Sequence, residues 1–520
     1  MEPNSPNSPF PEYLSAAHSE RQRGSAAYWS RCSSRRSMNC PPSTCSRKSA
    51  SEAQKSGSGT SPAQPGRTAR RRTRPATAAL IAVDVSPAAG SRRAGSRRAT
   101  IRDVARFVFA CNECSARLEE ERSLTVCPSC ARLQEPGGPT RGVLRVELLE
   151  PPRAWPTTPL DGPEALAAFL PLEGPDSLFG YPVGGTPLLP APGLRRRLGM
   201  PRLFVKDDSR NPSGSTKDRA SLLVVAKARE YGYDTAAAAS TGNAATALSA
   251  VGAAAGVRTV VFVPASAPLA KLVQMASYGA TLVPVDGTYD QAFELSLAAC
   301  ARFGWYNRNT ALNPFTVEGK KTAALEIAKD LLPEEPDAVV VPTGDGVILA
   351  GVAKGFRDLV AGGLLSRTPR LIAVQPEGSG PIARALKSGA DGITPEPGAA
   401  SVADSLVVAA PRNAILCLKE VRASGGAGVL VGDEEILDAL SLLARSAGVF
   451  AEPAAAAGLA GLLAAREEGL VDPGERVVLL VTGTGLKDVG AARRRVTIPP
   501  AVLPTLEAVE AVLREAPAAR

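Results

Sequence analysis

Histidine is nearly missing: the 520-residue chain holds one, His18, in a Ser/Arg/Pro-rich head. Histidine acid–base catalysis is therefore set aside. Long apolar runs are also missing. No stretch reaches the roughly 20 residues that cross a bilayer, and the N-terminus lacks a signal-peptide h-region. No membrane partner is expected, and cytoplasm is the default location. Aromatic residues make up 4% of the chain. Few of them interleave with the basic head, which removes the stacking platforms of nucleic-acid binding, so no specific nucleic-acid partner is expected.

What the head does contain is Ser, Arg, Pro and Ala with little apolar periodicity. Residues 1–100 read as a disordered basic head that cannot bury a core. Its runs Arg67 to Arg74 and Arg92 to Arg98 supply much of the formal net charge of +9. An over-long gene model is a companion reading, because Arg106-Phe107-Val108-Phe109-Ala110-Cys111 looks like a natural domain start. A transit peptide shares the bias, but Glu2, Glu12, Glu20 and the prolines oppose it.

Cysteine is concentrated. Cys111-Asn112-Glu113-Cys114 and Cys127-Pro128-Ser129-Cys130 form two C-x2-C knuckles. That spacing fits a closed tetrahedral shell of four thiolates around a structural zinc ion, and adjacent knuckles are poor disulfide geometry. Residues 101–142 are expected to be a zinc-ribbon-like module. Cys300 and Cys417 stand alone in apolar contexts and read as small core residues.

The strongest chemical signal is Lys217, at the end of Asn211-Pro212-Ser213-Gly214-Ser215-Thr216-Lys217-Asp218-Arg219. A short strand from Leu203 to Val205, a turn and an apolar helical stretch from Ala220 to Ala228 place it at or near a helix N-terminus. Backbone dipoles there disfavour its cationic form, and an unprotonated amine is what carbonyl attack needs. Three glycine turns follow strands farther on. Ser240-Thr241-Gly242-Asn243-Ala244-Ala245 follows Ala236 to Ala239 and opens a small-residue helix, a site suited to a carboxylate. Thr343-Gly344-Asp345-Gly346 follows Ala338 to Pro342 and suits a phosphate. Val477 to Val481 leads into Thr482-Gly483-Thr484-Gly485. In an open α/β fold such turns gather at the carboxyl ends of the strands.

With Gly185-Thr186-Pro187-Leu188, Asn313-Pro314-Phe315-Thr316-Val317-Glu318-Gly319-Lys320-Lys321-Thr322 and Glu452-Pro453, these blocks resemble, in order, the fold-type II pyridoxal-phosphate enzymes. The nearest resemblance is to threonine synthase and threonine-synthase-like enzymes, from about Gly184 to Asp488. It implies a two-lobed α/β fold, tryptophan synthase β-like, with an N-terminal zinc ribbon. It implies pyridoxal 5'-phosphate on Lys217 as an internal aldimine and Asn243 at the cofactor's ring hydroxyl. Thr343, Gly344, Asp345 and Gly346 match the phosphate loop, and Thr482 faces the pyridine nitrogen. Ser240, Thr241 and Ala244 match the loop for the substrate carboxylate. Lys271 matches a family lysine that approaches a substrate phosphate, and a homodimer is implied as well.

The expected division is a catalytic domain over 143–500, with a small lobe at about 236–355, and a C-terminal helix or tail over 501–520. Gly242 and Gly346 are candidate positions for movement of the small lobe. The implied activity is that of a lyase or synthase acting on a small amino acid, with O-phosphohomoserine to threonine as the leading reaction. Some positions depart from the threonine synthase pattern. Thr316 stands where that pattern has an arginine and Ala311 where it has a serine. Asp345 replaces an asparagine, Val347 and Ile348 replace a glycine and an asparagine, and Thr216 replaces a phenylalanine. These departures keep open a threonine or serine dehydratase and a β-replacement synthase of the cysteate or cysteine synthase kind. A non-catalytic zinc-ribbon scaffold is the reading from another class, and the intact Lys217 and Asn243 oppose it.

Overall fold

Every glycine turn singled out above follows a strand, and the way those strands pair decides what the turns can do together. The computed structural model describes residues 106–157, 162–265, 267 and 269–515, within the unit Arg98–Arg520. The head and the first residues of the ribbon lie outside the described residues.

Phe107–Cys111 (β1) pairs antiparallel with Arg117–Leu118 (β2) on one side and Leu144–Leu148 (β3) on the other. This three-stranded sheet runs to Leu148, beyond residue 142, because β3 pairs along the whole of β1. Phe107 and Phe109, two apart on one face of β1, each pack 5.8 Å from the ring of Phe315. That contact fixes the ribbon to the helix Phe315–Lys320.

The remaining strands are Leu188–Leu189 (β4), Leu203–Asp207 (β5), Thr235–Ala239 (β6), Arg258–Pro264 (β7), Thr281–Val285 (β8), Tyr306–Asn307 (β9), Ala338–Pro342 (β10), Arg370–Pro376 (β11), Ala427–Val431 (β12) and Val477–Val481 (β13). They form a six-stranded sheet in the order β12-β11-β10-β13-β5-β4 and a four-stranded sheet in the order β8-β7-β6-β9. All pairings are parallel except β4 with β5.

Both faces of the larger sheet are covered. Val340, Leu479 and Val481 pack with Leu459 and Leu462 of the helix Pro453–Glu467. Val339, Val341, Val478 and Leu480 pack with Leu349, Val352 and Phe356 of the helix Val347–Ala361. Parallel strands buried on two faces read as unbroken apolar runs, which is the pattern of Ala-Val-Val-Val-Pro and Val-Val-Leu-Leu-Val. Each such side chain contributes about 1.5–3 kcal/mol by burial.

The small lobe is shorter than expected. β10 hydrogen-bonds to β11 and β13, so residues 338–342 and the following helix belong to the larger sheet, and the four-stranded layer ends at Asn307. Leu506–Glu515 is a helix. Among the described residues no helix is long and apolar enough to cross a membrane.

Candidate active site

β10, β13 and β5 are consecutive neighbours in the larger sheet, so the loops after them lie side by side at its carboxyl edge. After β5 the chain turns through Gly214, at φ +83°, where a Cβ would meet Thr484 Cγ2 at 2.8 Å. Only glycine fits that approach. The Thr216 N–H donates to the Thr482 carbonyl at 2.9 Å, and Ser215 bridges to Gly483. These bonds clamp the lysine turn to the end of β13.

Lys217 is the first residue of the helix Lys217–Glu230. Burial pushes its amine down to about 8, with help from the Arg308 charge and against the pull of Glu452 and Asp345. The lysine is thereby available unprotonated near neutral pH. Two residues on, the buried Arg219 holds the helix to Asp208 and Glu326.

Asn243 opens the helix Asn243–Ala255 at the end of β6 and donates from Nδ2 to Glu452 Oε1 at 2.8 Å. Gly483 lies under that pair: a Cβ there would fall 2.3 Å from Glu452 Oε1 and 3.4 Å from Asn243 Nδ2. Thr482, Gly483, Glu452, Asn243 and Lys217 thus converge, although 209 residues separate Asn243 from Glu452. Burial raises the Glu452 carboxyl, opposed by Lys217, Lys487 and the Asn243 bond. Glu452 was noticed in the sequence as a landmark, not as a member of this site. No local pattern around it announces its partner.

At the end of β10, the Thr343 hydroxyl donates back to the Val341 carbonyl at 2.8 Å. Gly344 lies against the backbone of Ser405 and Leu406, and Gly346, at φ +86°, leads into the helix Val347–Ala361. Asp345 accepts the Arg412 N–H on one oxygen, while its other oxygen is buried without a partner. Burial pushes the Asp345 carboxyl up to about 6. Its side chain is engaged with the chain at residue 412, and the anion-binding capacity of this loop rests on backbone N–H groups.

Ser240, Thr241 and Ala244 are half-buried at the end of β6, with the Gly242 N–H donating to Ser240 Oγ at 3.3 Å. Lys271, on the helix Leu269–Ser277, pairs with Asp404 at 2.7 Å. Lys487 donates to Gln274 on the same helix at 3.3 Å. Arg412 pairs with Asp290 at 3.1 Å. These contacts tie the four-stranded layer to the loops of the larger sheet.

Thr316 is fully buried, and its hydroxyl donates to the Asn313 carbonyl at 2.7 Å. It closes its own turn. The four knuckle cysteines lie apart from this site, with Cys111 and Cys130 sulfurs 3.7 Å apart, Cys114 and Cys127 sulfurs 3.7 Å apart, and all four within 4.8 Å of one another.

The family model described as "Pyridoxal-phosphate dependent enzyme" matches residues 180–483. The chain belongs to the pyridoxal-phosphate dependent enzymes. It is 36% identical to the threonine synthase of Methanocaldococcus jannaschii over 348 residues, which is 67% of this chain and 86% of that protein. It is also 36% identical to the threonine synthase of Methanosarcina acetivorans over 386 residues, covering 74% of this chain and 92% of that one. The fold is that of the processed form of threonine deaminase isoform 2 from Solanum lycopersicum, with a TM-score of 0.52 and 22% identity over 66% of this chain and 98% of that one. The α/β fold-type II architecture of this enzyme family is thus present.

The residues at hand fit the family's cofactor. A half-buried lysine with a depressed amine and a glycine loop that opens a helix both lie at the carboxyl edge of the larger sheet. Ser215 Oγ, in the lysine turn, is a buried polar atom without a partner within the protein.

Proposed function

We infer that this pyridoxal-phosphate dependent enzyme is of threonine synthase type, acting on a small amino acid, with O-phosphohomoserine to threonine as its reaction. The observation that carries this reading is Lys217, half-buried at a helix N-terminus with its amine pushed down to about 8. The threonine synthase relatives, at 36% identity over two thirds of the chain or more, support this reading.

In this reading Lys217 holds the cofactor covalently, Asn243 and Thr482 engage its ring, and Thr343, Gly344, Asp345 and Gly346 receive its phosphate, with Asp345 contributing only its backbone. Bound pyridoxal phosphate supplies an electron sink for charge developing at the substrate Cα. Ser240, Thr241 and Ala244 orient the substrate carboxylate, and Lys271 meets the anionic end of the substrate by exchanging its bond to Asp404. The Lys217 amine would be the group that moves protons at the substrate Cα and its neighbours. Approach of the four-stranded layer excludes water from that proton transfer. Operation as a cytoplasmic homodimer belongs to the same proposal.

Thr316 favours a second reading, a threonine or serine dehydratase or a β-replacement synthase. Its hydroxyl is committed to the Asn313 carbonyl, so it offers an anionic substrate neither charge nor donor. Absorption spectra decide between them. The full chain is expected to carry a band at about 410 to 420 nm, and Lys217→Ala to lack it. Scanning O-phosphohomoserine, threonine, serine and O-phosphoserine then identifies the substrate that shifts the band and turns over. Absence of any cofactor band after reconstitution removes the enzyme reading and revives the scaffold.

For the ribbon we propose a structural zinc ion. Four Zn–S bonds of about 2.3 Å in a tetrahedron require sulfurs about 3.8 Å apart. The 3.7 Å separations agree and are far too long for a disulfide. Metal analysis is expected to return one zinc per chain and none in Cys111→Ser; zinc-free wild-type protein with an intact fold overturns this assignment.

A further inference from the structure

Most cations buried in this fold have a carboxylate. Lys206 meets Glu326 at 2.7 Å, Arg219 meets Asp208 at 2.7 Å and Glu326 at 2.6 Å, Lys321 meets Glu318 and Asp358, and Lys354 meets Asp358 at 2.6 Å. Two depart from this rule. Lys320 and Arg308, each 2% exposed, form no ion pair among the described residues, and Arg308 has only the Ser221 hydroxyl, at 3.3 and 3.4 Å. An unpaired cation costs several kcal/mol to bury, so an anion from outside the chain is the natural counter-charge.

The backbone shows where that anion lies. At Gly319 a Cβ would fall 2.3 Å from the Arg219 carbonyl, and at Gly351 one would fall 2.6 Å from Lys320 Cβ. The short helix Phe315–Lys320 is therefore in backbone contact with both the Lys217 helix and the helix that follows the Thr343–Gly346 loop. Lys320 also stands one helical turn after Thr316, on the same face. We propose that Lys320 and Arg308 form a cationic subsite for a phosphoryl group beside the Thr343–Gly346 loop.

The subsite rests on the cofactor reading above and adds the charge that Thr316 and Asp345 do not provide. A phosphoryl dianion there is stabilised against Asp345 by two cations. Burial, with the Lys217 and Arg308 charges, holds the Lys320 amine well below the usual lysine range, and Asp345 pulls the other way. Burial likewise pushes Arg308 down to about 10. An incoming dianion reverses both effects.

The phosphoryl group can come from the cofactor or from a phosphorylated substrate, and one experiment separates them. In the full chain stripped of cofactor, binding of pyridoxal 5'-phosphate and of pyridoxal is titrated for wild type, Lys320→Met and Lys320→Arg, alongside thermal melts. KM for O-phosphohomoserine is then measured on cofactor-saturated protein. A loss of about tenfold or more for pyridoxal 5'-phosphate with pyridoxal unchanged, and recovery in Lys320→Arg, assigns the subsite to the cofactor. Unchanged cofactor binding with KM raised about tenfold at constant kcat assigns it to the substrate. Either way, the cofactor-free Lys320→Met protein melts no lower than wild type, because a buried amine without an ion pair has been replaced by an apolar side chain of similar length. Overturning results are equal weakening of both cofactor forms, a lower melt, or no change in either titration or KM. Wild-type protein that binds neither pyridoxal 5'-phosphate nor pyridoxal sinks the enzyme reading itself, whereas normal wild-type binding with an indifferent variant sinks only the subsite.

Discussion

Arg219, two residues beyond the candidate lysine, is fully buried and makes six side-chain hydrogen bonds, two each to Asp208 and Glu326 and one each to Thr186 and Thr322. In Arg219→Met the volume is largely kept while the charge goes. Glu326 keeps Lys206 at 2.7 Å, but Asp208 keeps only the Thr186 hydroxyl at 2.8 Å. Burial pushes Asp208 up, yet in the native protein Arg219 outweighs it and holds the carboxyl below its usual range. Without Arg219, burial is opposed only by the Lys206 charge and the Thr186 hydroxyl, and the folded variant escapes the poorly matched charge by taking up a proton. From a reference pKa of about 3.9 and about 1.36 kcal/mol per pH unit, that escape costs about 4 kcal/mol at pH 7 and about 1.5 kcal/mol at pH 5. The sign is distinctive. Asp208 in wild type contributes stability above its unfolded pKa that is lost as the medium is acidified, while the variant recovers stability on acidification, so the gap between the two narrows. Urea unfolding of wild type and Arg219→Met at both pH values measures it. A penalty under about 1 kcal/mol at pH 7, or one that fails to shrink at pH 5, refutes the buried-charge account.

The rate at which pyridoxal 5'-phosphate attaches to cofactor-free protein should rise with pH through a midpoint of about 8, because that is where the Lys217 amine loses its proton. A midpoint at the ordinary lysine value of about 10.4 in stopped-flow absorbance would show that the site leaves the amine unperturbed. Gly483→Ala places a methyl group 2.3 Å from Glu452 Oε1 and displaces the acceptor of the Asn243 bond. Cofactor affinity, titrated by fluorescence, should weaken by about 1–3 kcal/mol with little change in unfolding at the ribbon. Undiminished affinity would remove Asn243 and Glu452 from the cofactor's surroundings.

What the sequence discloses of this protein is local, and what it withholds is pairing. The strands and turns that carry Lys217, Asn243, Thr343 and Thr482 are legible because strand, glycine turn and helix follow one another within a dozen or so residues. The Cys111–Cys130 knuckles were legible for the same reason, since spacing alone sets their reach. The small-lobe boundary was not, because Ala-Val-Val-Val-Pro is an equally good strand in either sheet and only its hydrogen bonds to β11 and β13 assign it. Glu452 and Lys320 show the same limit for charge. Both sit in apolar or mixed segments with no cue to burial, and their meaning lies far along the chain: for Glu452 in Asn243, 209 residues away, and for Lys320 in the lack of an ion pair among the described residues. A lysine in a charged stretch such as Glu318-Gly319-Lys320-Lys321 reads as solvated, yet Lys321 is neutralised by Glu318 and Asp358 while its neighbour is not. Two adjacent, identical side chains thus point to opposite roles, one holding the fold and one awaiting a ligand, and only the three-dimensional pairing of charges separates them.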